Sequence, residues 1–180
     1  LAQDAKDRPE KLAGLKLIDG KFDGARVLTI LRRNGTVIQV SRNGLLIENF
    51  PKIRAQFEDL QWEGKDMVID GEMMSANFQA LMTQFKRKTN VDTDDSVYHV
   101  FDMIPLEEFY DGESKEGQLA RRQNLKKFWA ENIKTLENVE FVPYEIVNLS
   151  TPEGQARFKK LNEEAIERKL EGLMIKEVHG

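Results

Sequence analysis

The sequence contains no cysteine among its 180 residues. That absence excludes a disulfide scaffold, a metal site built on thiolates and a cysteine nucleophile. No apolar run approaches the length of a membrane span, and no signal-peptide pattern opens the chain, so we expect an intracellular, cytoplasmic protein without a membrane partner. An excess of positive charge is also missing. The formal net charge is -4 at pH 7, and bulk charge therefore does not indicate a nucleic-acid-binding protein.

What is present is typical of a folded protein. Hydrophobic residues make up 40% of the chain and charged residues 32%, a balance that favours a globular class over disorder. The length is sufficient for one domain with a buried core.

Hairpin signals come first along the chain, and strand–helix alternation follows. Two β-branched runs flank Asn34-Gly35, which predicts a hairpin with a two-residue turn. A capping box from Ser150 to Glu153 and a glycine at position 172 predict a helix over 150–172. The other predicted strands cover 15–18, 66–73, 96–106, 139–147 and 173–178, and the other predicted helices cover 49–60, 76–88 and 116–133. The class is therefore α+β, with antiparallel sheets flanked by helices.

Three short clusters place charged residues beside glycine at the predicted ends of strands. They are "KFDGAR" from Lys21 to Arg26, "DGE" from Asp70 to Glu72, and "EGLMIK" from Glu171 to Lys176. A site for a nucleoside triphosphate needs a basic nucleophile or phosphate clamp, carboxylates for a hard cation such as Mg²⁺, and a flat side chain for the base. Phe101, at the end of "YHVF", is a candidate for that flat side chain.

Each of these residues also has a structural interpretation. Lys21 alone would be a solvated turn lysine, and Asp70 before a glycine is a common turn former. Phe101 alone would be a core residue, and Arg42 in "SRNG" a turn arginine. Glu171 would be the last residue of a capped helix. A carboxylate there meets an unfavourable helix dipole, and a bound metal would explain why a negative charge stands at that position.

Taken in order along the chain, the clusters resemble the nucleotidyltransferase domain of ATP-dependent DNA ligases, particularly the small phage and viral enzymes. "KFDGAR" is similar to motif I of that family, K-x-D-G-x-R, and "SRNG" (41–44) to its arginine-bearing loop. "DGE" is similar to motif III, "YHVFDMIPL" to motif IIIa and "EGLMIK" to motif IV. RNA ligases and mRNA-capping enzymes share the core of this pattern, and the Gly-Ala-Arg ending of motif I favours the DNA ligases.

The resemblance implies a catalytic role for Lys21, which would attack the α-phosphate of ATP, release pyrophosphate and hold AMP through a phosphoramidate. It assigns Glu171 and Glu72 to a divalent metal, Mg²⁺ or Mn²⁺, with Glu72 also a candidate for the ribose. Arg26 would contact the ribose and the phosphate of a DNA nick, and Arg42 the 5′-phosphate of the nick.

Four further residues would meet the nucleotide by the same resemblance. Phe101 would stack on one side of adenine with Met174 on the other, Asp19 would read the adenine amino group, and Lys176 would contact a phosphate. The implied partners are ATP and nicked double-stranded DNA, and we expect a monomer, encoded by a phage or virus if the likeness to the small enzymes holds.

In the family, motif V with its two lysines and an OB-fold domain follow motif IV, and neither is found before Gly180. We therefore expect residues 1–180 to be an adenylation (nucleotidyltransferase, ATP-grasp-like) domain truncated after motif IV, slow in adenylation and unable to seal nicks alone. Two alternatives stay open. One is an RNA ligase or mRNA-capping-type nucleotidyltransferase, and the other is a nucleotide-binding module without turnover.

Overall fold

The computed structural model describes residues 13–75, 95–133 and 136–180. The helix predicted over 76–88 lies outside the described residues. The chain divides into two compact units. Of the described residues, the smaller unit takes 13–23, 116–120 and 142–180, and the larger unit takes 24–75, 95–115, 121–133 and 136–141.

The described part of the chain contains both strands and helices, and the predicted α+β class is confirmed. The strands are β1 (Leu15–Lys21), β2 (Ala25–Leu31), β3 (Val37–Val40), β4 (Leu46–Ile47), β5 (Met67–Met74), β6 (Val97–Pro105), β7 (Val139–Phe141), β8 (Tyr144–Asn148) and β9 (Gly172–Glu177). The α-helices are α1 (Pro51–Glu58), α2 (Leu106–Asp111), α3 (Gln118–Phe128) and α4 (Pro152–Glu167), and α3 continues as a π-helical turn over Trp129–Ile133. None of the described helices combines the length and the apolar character that crossing a membrane requires.

The larger unit is built on a six-stranded sheet in the order β4-β3-β2-β5-β6-β7. Neighbouring strands are antiparallel except β6 and β7, which run parallel. Alternate residues of a strand point to opposite faces, and apolar residues cover both faces here. One face packs in the main core with Val27, Ile69 and Met73, and the other carries a second cluster with Leu28 and Val68.

The hairpin of β2 and β3 forms as predicted, but its turn is longer than two residues. Arg32 N donates to Thr36 O at 3.0 Å and Gly35 N donates to Arg32 O at 2.9 Å, so the loop is the three residues 33–35. Within this loop only Gly35 has a positive φ, +84°. A type I turn followed by one left-handed residue satisfies this geometry, whereas the two-residue turn would need two left-handed residues.

The smaller unit is built on a three-stranded antiparallel sheet in the order β8-β1-β9. One face of it packs against α4 in a cluster that contains Ile18, Val147, Leu149, Phe158, Leu161, Leu173 and Ile175. Because side chains alternate along a strand, Leu17, Asp19 and Lys21 of β1 lie on the opposite face. Met174 and Lys176 of β9 share that face, since they are the register partners of Asp19 and Leu17.

The strand predicted over 139–147 is wrong as a single element. It is broken at Val142 and Pro143 into β7, which joins the six-stranded sheet, and β8, which joins the three-stranded sheet. Pro143 has no backbone N–H to donate to a neighbouring strand, so a strand is readily interrupted there.

The helix predicted over 150–172 is shorter at both ends. Thr151, not Ser150, is the N-cap, and its Oγ1 accepts a hydrogen bond from Gly154 N at 3.0 Å. Ser150 Oγ instead accepts one from Gly14 N at 2.7 Å. The helix ends at Glu167, and Lys169 takes a left-handed φ of +62° just beyond it.

Tyr98 is buried among the strands of the larger unit, and this yields a testable pH dependence. Its hydroxyl donates to Val27 O at 2.8 Å and accepts from Thr29 Oγ1 at 3.0 Å. Burial raises the pKa of Tyr98 well above the usual range, and the hydrogen bond with Thr29 opposes this only in part. The folded state therefore keeps the phenol proton at alkaline pH, while the unfolded state releases it above a pH of about 10.

We expect the free energy of unfolding to fall above that pH by up to ~1.4 kcal/mol per pH unit through this residue, because the unfolded state then binds fewer protons. Urea denaturation of the wild type and of Tyr98→Phe between pH 8 and 11 checks this. The pH slope of Tyr98→Phe should be shallower, and equal slopes would contradict the assignment.

Candidate active site

Lys21 is the last residue of β1 rather than a residue of a loop. Because β9 pairs antiparallel with β1, the start of "EGLMIK" is brought beside it: Glu171 N donates to Lys21 O at 3.1 Å, and Lys21 Nζ lies 3.4 Å from Glu171 Oε1. Both side chains are 47% exposed. The sheet thus fixes the backbone of the lysine while its amino group stays open to a ligand.

The position of Glu171 changes the interpretation of this carboxylate. The preceding helix ends at Glu167, so Glu171 lies in the connection to β9 and not at a helix C-terminus. The unfavourable dipole suggested by the sequence is absent, and the charged neighbour of Glu171 is the amino group of Lys21.

The glycines around Lys21 serve close packing of the chain on itself. A Cβ on Gly20 would lie 2.8 Å from Leu170 Cδ1, and one on Gly24 would lie 2.3 Å from the carbonyl oxygen of Met73. Neither glycine has a positive φ. The sequence suggested a sharp turn or a close approach to a ligand, and the structure accounts for both glycines by packing.

Asp19 and Lys176 form a buried ion pair on the same face of the sheet as Lys21. Lys176 Nζ lies 2.9 Å from Asp19 Oδ2, and the two side chains are 11% and 1% exposed. Met174 is the register partner of Asp19. The structure therefore brings Asp19, Met174 and Lys176 together, as the resemblance requires of residues that serve one nucleotide.

Lys16, the nearest lysine to Lys21 in sequence, is placed differently. It is buried, and its Nζ lies 2.5 Å from Glu177 Oε1. Its odd spacing from Lys21 puts it on the opposite face of β1, the face that packs on α4. A buried lysine held by a carboxylate is a poorer acceptor for AMP than the half-exposed Lys21.

Arg26, Asp70 and Glu72 come together on one face of the six-stranded sheet. Arg26 of β2 is the register partner of Glu72 of β5. Its Nε donates to Asp70 Oδ1 at 3.0 Å and its Nη2 contacts Asp70 Oδ2. The hydrogen bond with Asp70, together with the charges of Asp70, Glu72 and Asp102, raises the pKa of Arg26 against the opposing effect of burial.

The "DGE" cluster does not close a strand, because β5 continues to Met74. Asp70 is therefore not a turn former, as its position before a glycine suggested. Its structural role is to bind the guanidinium of Arg26. Gly71 permits close contact with β6, since a Cβ there would lie 2.5 Å from the His99 carbonyl oxygen.

Phe101 occupies an irregularity in β6. Asp70 pairs with Asp102, but Gly71 pairs with Val100, so Phe101 is an extra residue in the strand. Such a β-bulge changes the direction of the strand and is common beside functional sites. Phe101 is partly buried, neither a full core residue nor an exposed one.

Arg42 lies in the turn between β3 and β4. Ser41 N donates to Leu45 O at 2.8 Å, and Ser41 Oγ accepts from Leu45 N at 3.1 Å, so the turn is tightly held. Arg42 itself is exposed, and no ion pair joins it to a carboxylate of the described residues. Its guanidinium is available to an anion.

The larger unit contains a further arginine–carboxylate pair that no motif in the sequence predicts. Arg121 Nε of α3 donates to Asp102 Oδ1 at 2.9 Å. Asp102 directly follows Phe101 in "YHVFD", and that adjacency is the one signal that could have drawn attention to it.

A metal site made by the protein alone is not found among the described residues, where no group of three or more histidines and carboxylates is close enough to hold an ion. Mg²⁺ usually takes one or two carboxylates together with substrate phosphates and water. An exposed oxygen donor such as Glu171 fits that mode of binding.

Comparison with known proteins identifies the family. The family model described as "ATP dependent DNA ligase domain" matches residues 1–180. The chain belongs to the ATP-dependent DNA ligase domain family. The family resemblance inferred from the motifs is thereby confirmed.

Solved structures agree with this membership. The structure named Pmar-Lig_Pre. is 42% identical to this ligase domain, with a TM-score of 0.94, over 100% of this chain and 42% of that one. The bacteriophage T7 ATP-dependent DNA ligase in complex with ATP is 16% identical, with a TM-score of 0.70, over 99% of this chain and 62% of that one. The Chlorella virus DNA ligase-adenylate is 20% identical, with a TM-score of 0.63, over 92% of this chain and 54% of that one.

The two viral structures support the fold of the ligase domain, the adenylation-domain architecture expected from the motifs. The chain spans less than half the length of Pmar-Lig_Pre. and less than two thirds of the other two. A search among curated proteins gave no match.

Proposed function

We propose that this ligase domain forms a covalent enzyme–AMP adduct as the first step of ATP-dependent DNA ligation. The unprotonated amine of Lys21 attacks the α-phosphorus of ATP. An N–P bond forms, the bond from that phosphorus to the bridging oxygen breaks, and pyrophosphate leaves. After the attack the nitrogen carries one proton more than the phosphoramidate holds, and it releases that proton to water in the same step.

The later proposed steps concern DNA, and membership of the DNA ligase domain family supports them. An oxygen of the 5′-phosphate at a nick attacks the phosphorus of the adduct, the N–P bond breaks and AMP passes to the DNA. The 3′-hydroxyl then attacks the 5′-phosphorus, the nick is sealed and AMP leaves. Arg42, exposed at its hairpin tip, is our candidate for the 5′-phosphate, and Arg26 for the ribose and the nick phosphate.

The observation that carries this proposal is the placement of Lys21. Its backbone is fixed in the central strand of the three-stranded sheet, and its half-exposed amino group lies beside Glu171, the one carboxylate of "EGLMIK". A nucleophile needs a fixed origin and an accessible reacting atom, and this lysine has both. Lys16 lacks the accessibility.

The nucleotide contacts are proposed unit by unit. In the smaller unit, Asp19 would face the adenine amino group with Met174 against the ring, and Lys176 would contact a phosphate. An ammonium has three donors, and Lys176 directs one of them to Asp19. In the larger unit, Phe101 would stack on adenine and Glu72 would hold the ribose.

Mg²⁺ or Mn²⁺ is the proposed metal, with Glu171 and Glu72 as its candidate carboxylates. When bound, such an ion neutralises phosphate charge and polarises the phosphoryl group. The residues of the chain supply the rest: Lys21 supplies the nucleophile, and the arginines and Lys176 supply fixed positive charge for the anionic ligand.

Incubation with α-labelled ATP or GTP and a divalent metal, followed by denaturation, tests the proposal. Label from ATP that survives denaturation, and that passes to nicked DNA when this is added, supports a DNA ligase. Label from GTP would indicate a capping-type enzyme, and transfer to RNA nicks alone an RNA ligase. Nucleotide binding without label would indicate a module without turnover.

We expect Glu171→Gln to raise the Mg²⁺ concentration needed for half-maximal adduct formation by about tenfold or more, since ligand-shell changes alter metal affinity by about that much. Its free energy of unfolding should change by less than about 1 kcal/mol, because the pair with Lys21 is exposed. Glu163 is an exposed carboxylate on α4, and Glu163→Gln is the matched control. A large loss of thermal stability with an unchanged Mg²⁺ titration would show that Glu171 is structural.

A further inference from the structure

Two aspartates stand directly opposite each other in the larger unit. Asp70 of β5 and Asp102 of β6 are register partners, just before the irregularity at Phe101. Side chains of such partners share a face, with Cβ atoms about 4.5–5.5 Å apart, and like charges there are destabilising. Both carboxylates are largely buried, with side-chain exposures of 10% and 19%. The pair therefore needs compensating positive charge.

Each aspartate is matched by one arginine that reaches it with two nitrogens. Asp70 is held by Nε and Nη2 of Arg26. Asp102 is held by Arg121, with Nε–Oδ1 at 2.9 Å and Nη2–Oδ2 at 3.4 Å. Bidentate pairs of this kind fix the guanidinium plane as well as its charge. The four side chains form a network of two positive and two negative charges.

The network is asymmetric in exposure. Arg121 comes from α3 and its side chain is 8% exposed, whereas Arg26 is 26% exposed and is the most accessible member of the four. The charge of Asp102 also acts on Arg26, since it contributes to the raised pKa of that guanidinium. Because Asp102 is also the register partner of Asp70, it is the neighbouring carboxylate that would compete for Arg26 if its own arginine were removed.

We infer that Asp102 and Arg121 are positioning residues for Arg26. Arg121 occupies Asp102, so Asp102 does not draw Arg26 from Asp70, which holds it with two nitrogens. Its exposed edge is then presented to an anionic ligand of the nucleotide or nucleic-acid phosphate class. Neither Asp102 nor Arg121 needs to touch that ligand. The identity of the ligand rests on the proposed function, whereas the orientation of Arg26 does not.

The orientation can be measured without any enzymatic activity. The test uses the ¹⁵N-labelled chain, with the Nε–H resonance of Arg26 assigned by its loss in Arg26→Lys. In Arg121→Met we expect this resonance to shift and its hydrogen exchange to become faster, because Asp102 then draws the guanidinium from Asp70. In the double variant Asp102→Asn/Arg121→Met the resonance should return toward its wild-type position, since no competing charge remains.

Two further variants keep this measurement decisive. Lys126→Met removes an exposed positive charge from the same helix and should leave the resonance unchanged. If Arg121→Met does not fold, Arg121→Lys retains the charge but not the bidentate geometry and should give a smaller shift in the same direction. An Arg26 resonance that is unchanged in the Arg121 variants would overturn the inference.

A kinetic arm links the network to the proposed function. We expect Arg121→Met to raise the KM for ATP in adduct formation by about tenfold, the usual effect of losing one charge-assisted contact. The double variant Arg26→Met/Arg121→Met should have the same KM for ATP as Arg26→Met alone, because Arg121 acts through Arg26. A purely structural role would give additive effects instead and would count against the inference. If Arg26→Met itself leaves KM unchanged, the role of Arg26 in the proposed function fails, while the resonance of Arg26 still decides the inference.

Discussion

Lys21→Ala is expected to reduce covalent AMP incorporation to the level of a blank without protein, even after long incubation. Lys21 provides the nitrogen of the proposed N–P bond, and Lys16 is buried on the opposite face of β1 and held by Glu177. The amine is a participant in the bond, so its loss removes the step rather than slowing it. Labelled ATP and recovery of label in denatured protein give the measurement.

The fold should survive this substitution. The side chain of Lys21 is 47% exposed and its pair with Glu171 spans 3.4 Å, and such surface pairs contribute about 0–1 kcal/mol. Lys21→Arg adds a sharper control, since it retains the positive charge but offers no amine that can lose its proton at neutral pH. It should also be unlabelled, whereas Lys169→Ala, an exposed lysine beyond α4, should be labelled like the wild type. Label in Lys21→Ala at the wild-type level would refute the assignment.

Lys176→Met is expected to lower the free energy of unfolding by about 3–5 kcal/mol, because it leaves the buried carboxylate of Asp19 without its cation. The carboxylate is 1% exposed and lies 2.9 Å from the ammonium. Folded domains have a total stability of only about 5–15 kcal/mol, so the variant should unfold at a much lower urea concentration. Urea denaturation followed by circular dichroism provides the number.

The double variant Asp19→Asn/Lys176→Met separates the ion pair from the packing. With both charges removed, most of the lost stability should return, since replacing a buried pair by neutral groups is often close to neutral. Lys21→Met is the matched control for loss of a lysine from the same face of the sheet, and should cost less than about 1 kcal/mol. A loss below about 1 kcal/mol in Lys176→Met would mean that water screens the pair and that Lys176 is held chiefly for a ligand.

Local sequence patterns predicted elements well where one strand or helix is defined by its own residues. The strands predicted over 66–73, 96–106 and 173–178 match β5, β6 and β9 to within one or two residues. The apolar and β-branched runs of β5 and β6 are long because both faces of the six-stranded sheet are covered. Strands of this kind can therefore be predicted from their own residues, without knowledge of their neighbours in the sheet.

The errors lie where tertiary contacts decide. Ser150 and Thr151 are both competent caps, and Ser150 is drawn away by a hydrogen bond from Gly14, a residue distant in sequence. The strands β7 and β8 are separated by two residues but join different sheets, and no local pattern reveals the partner of a strand. The bulge at Phe101 likewise depends on the register with β5.

The candidate site shows the same division. The motifs identified Lys21 and Glu171 separately, and the pairing of β1 with β9 explains why the two side chains meet. The Arg121–Asp102 pair could not be predicted from the sequence, because its two members come from a helix and a strand with no shared motif. The roles of the individual residues toward ATP, metal and DNA stay predictions.

The most direct test of the central proposal is the identity of the modified residue. The protein is incubated with ATP and Mg²⁺ and digested at alkaline pH, because phosphoramidates hydrolyse in acid, and the peptides are sequenced by tandem mass spectrometry. We expect a single AMP group on Nζ of Lys21. An AMP group on Lys16, or on any lysine other than Lys21, would contradict the account.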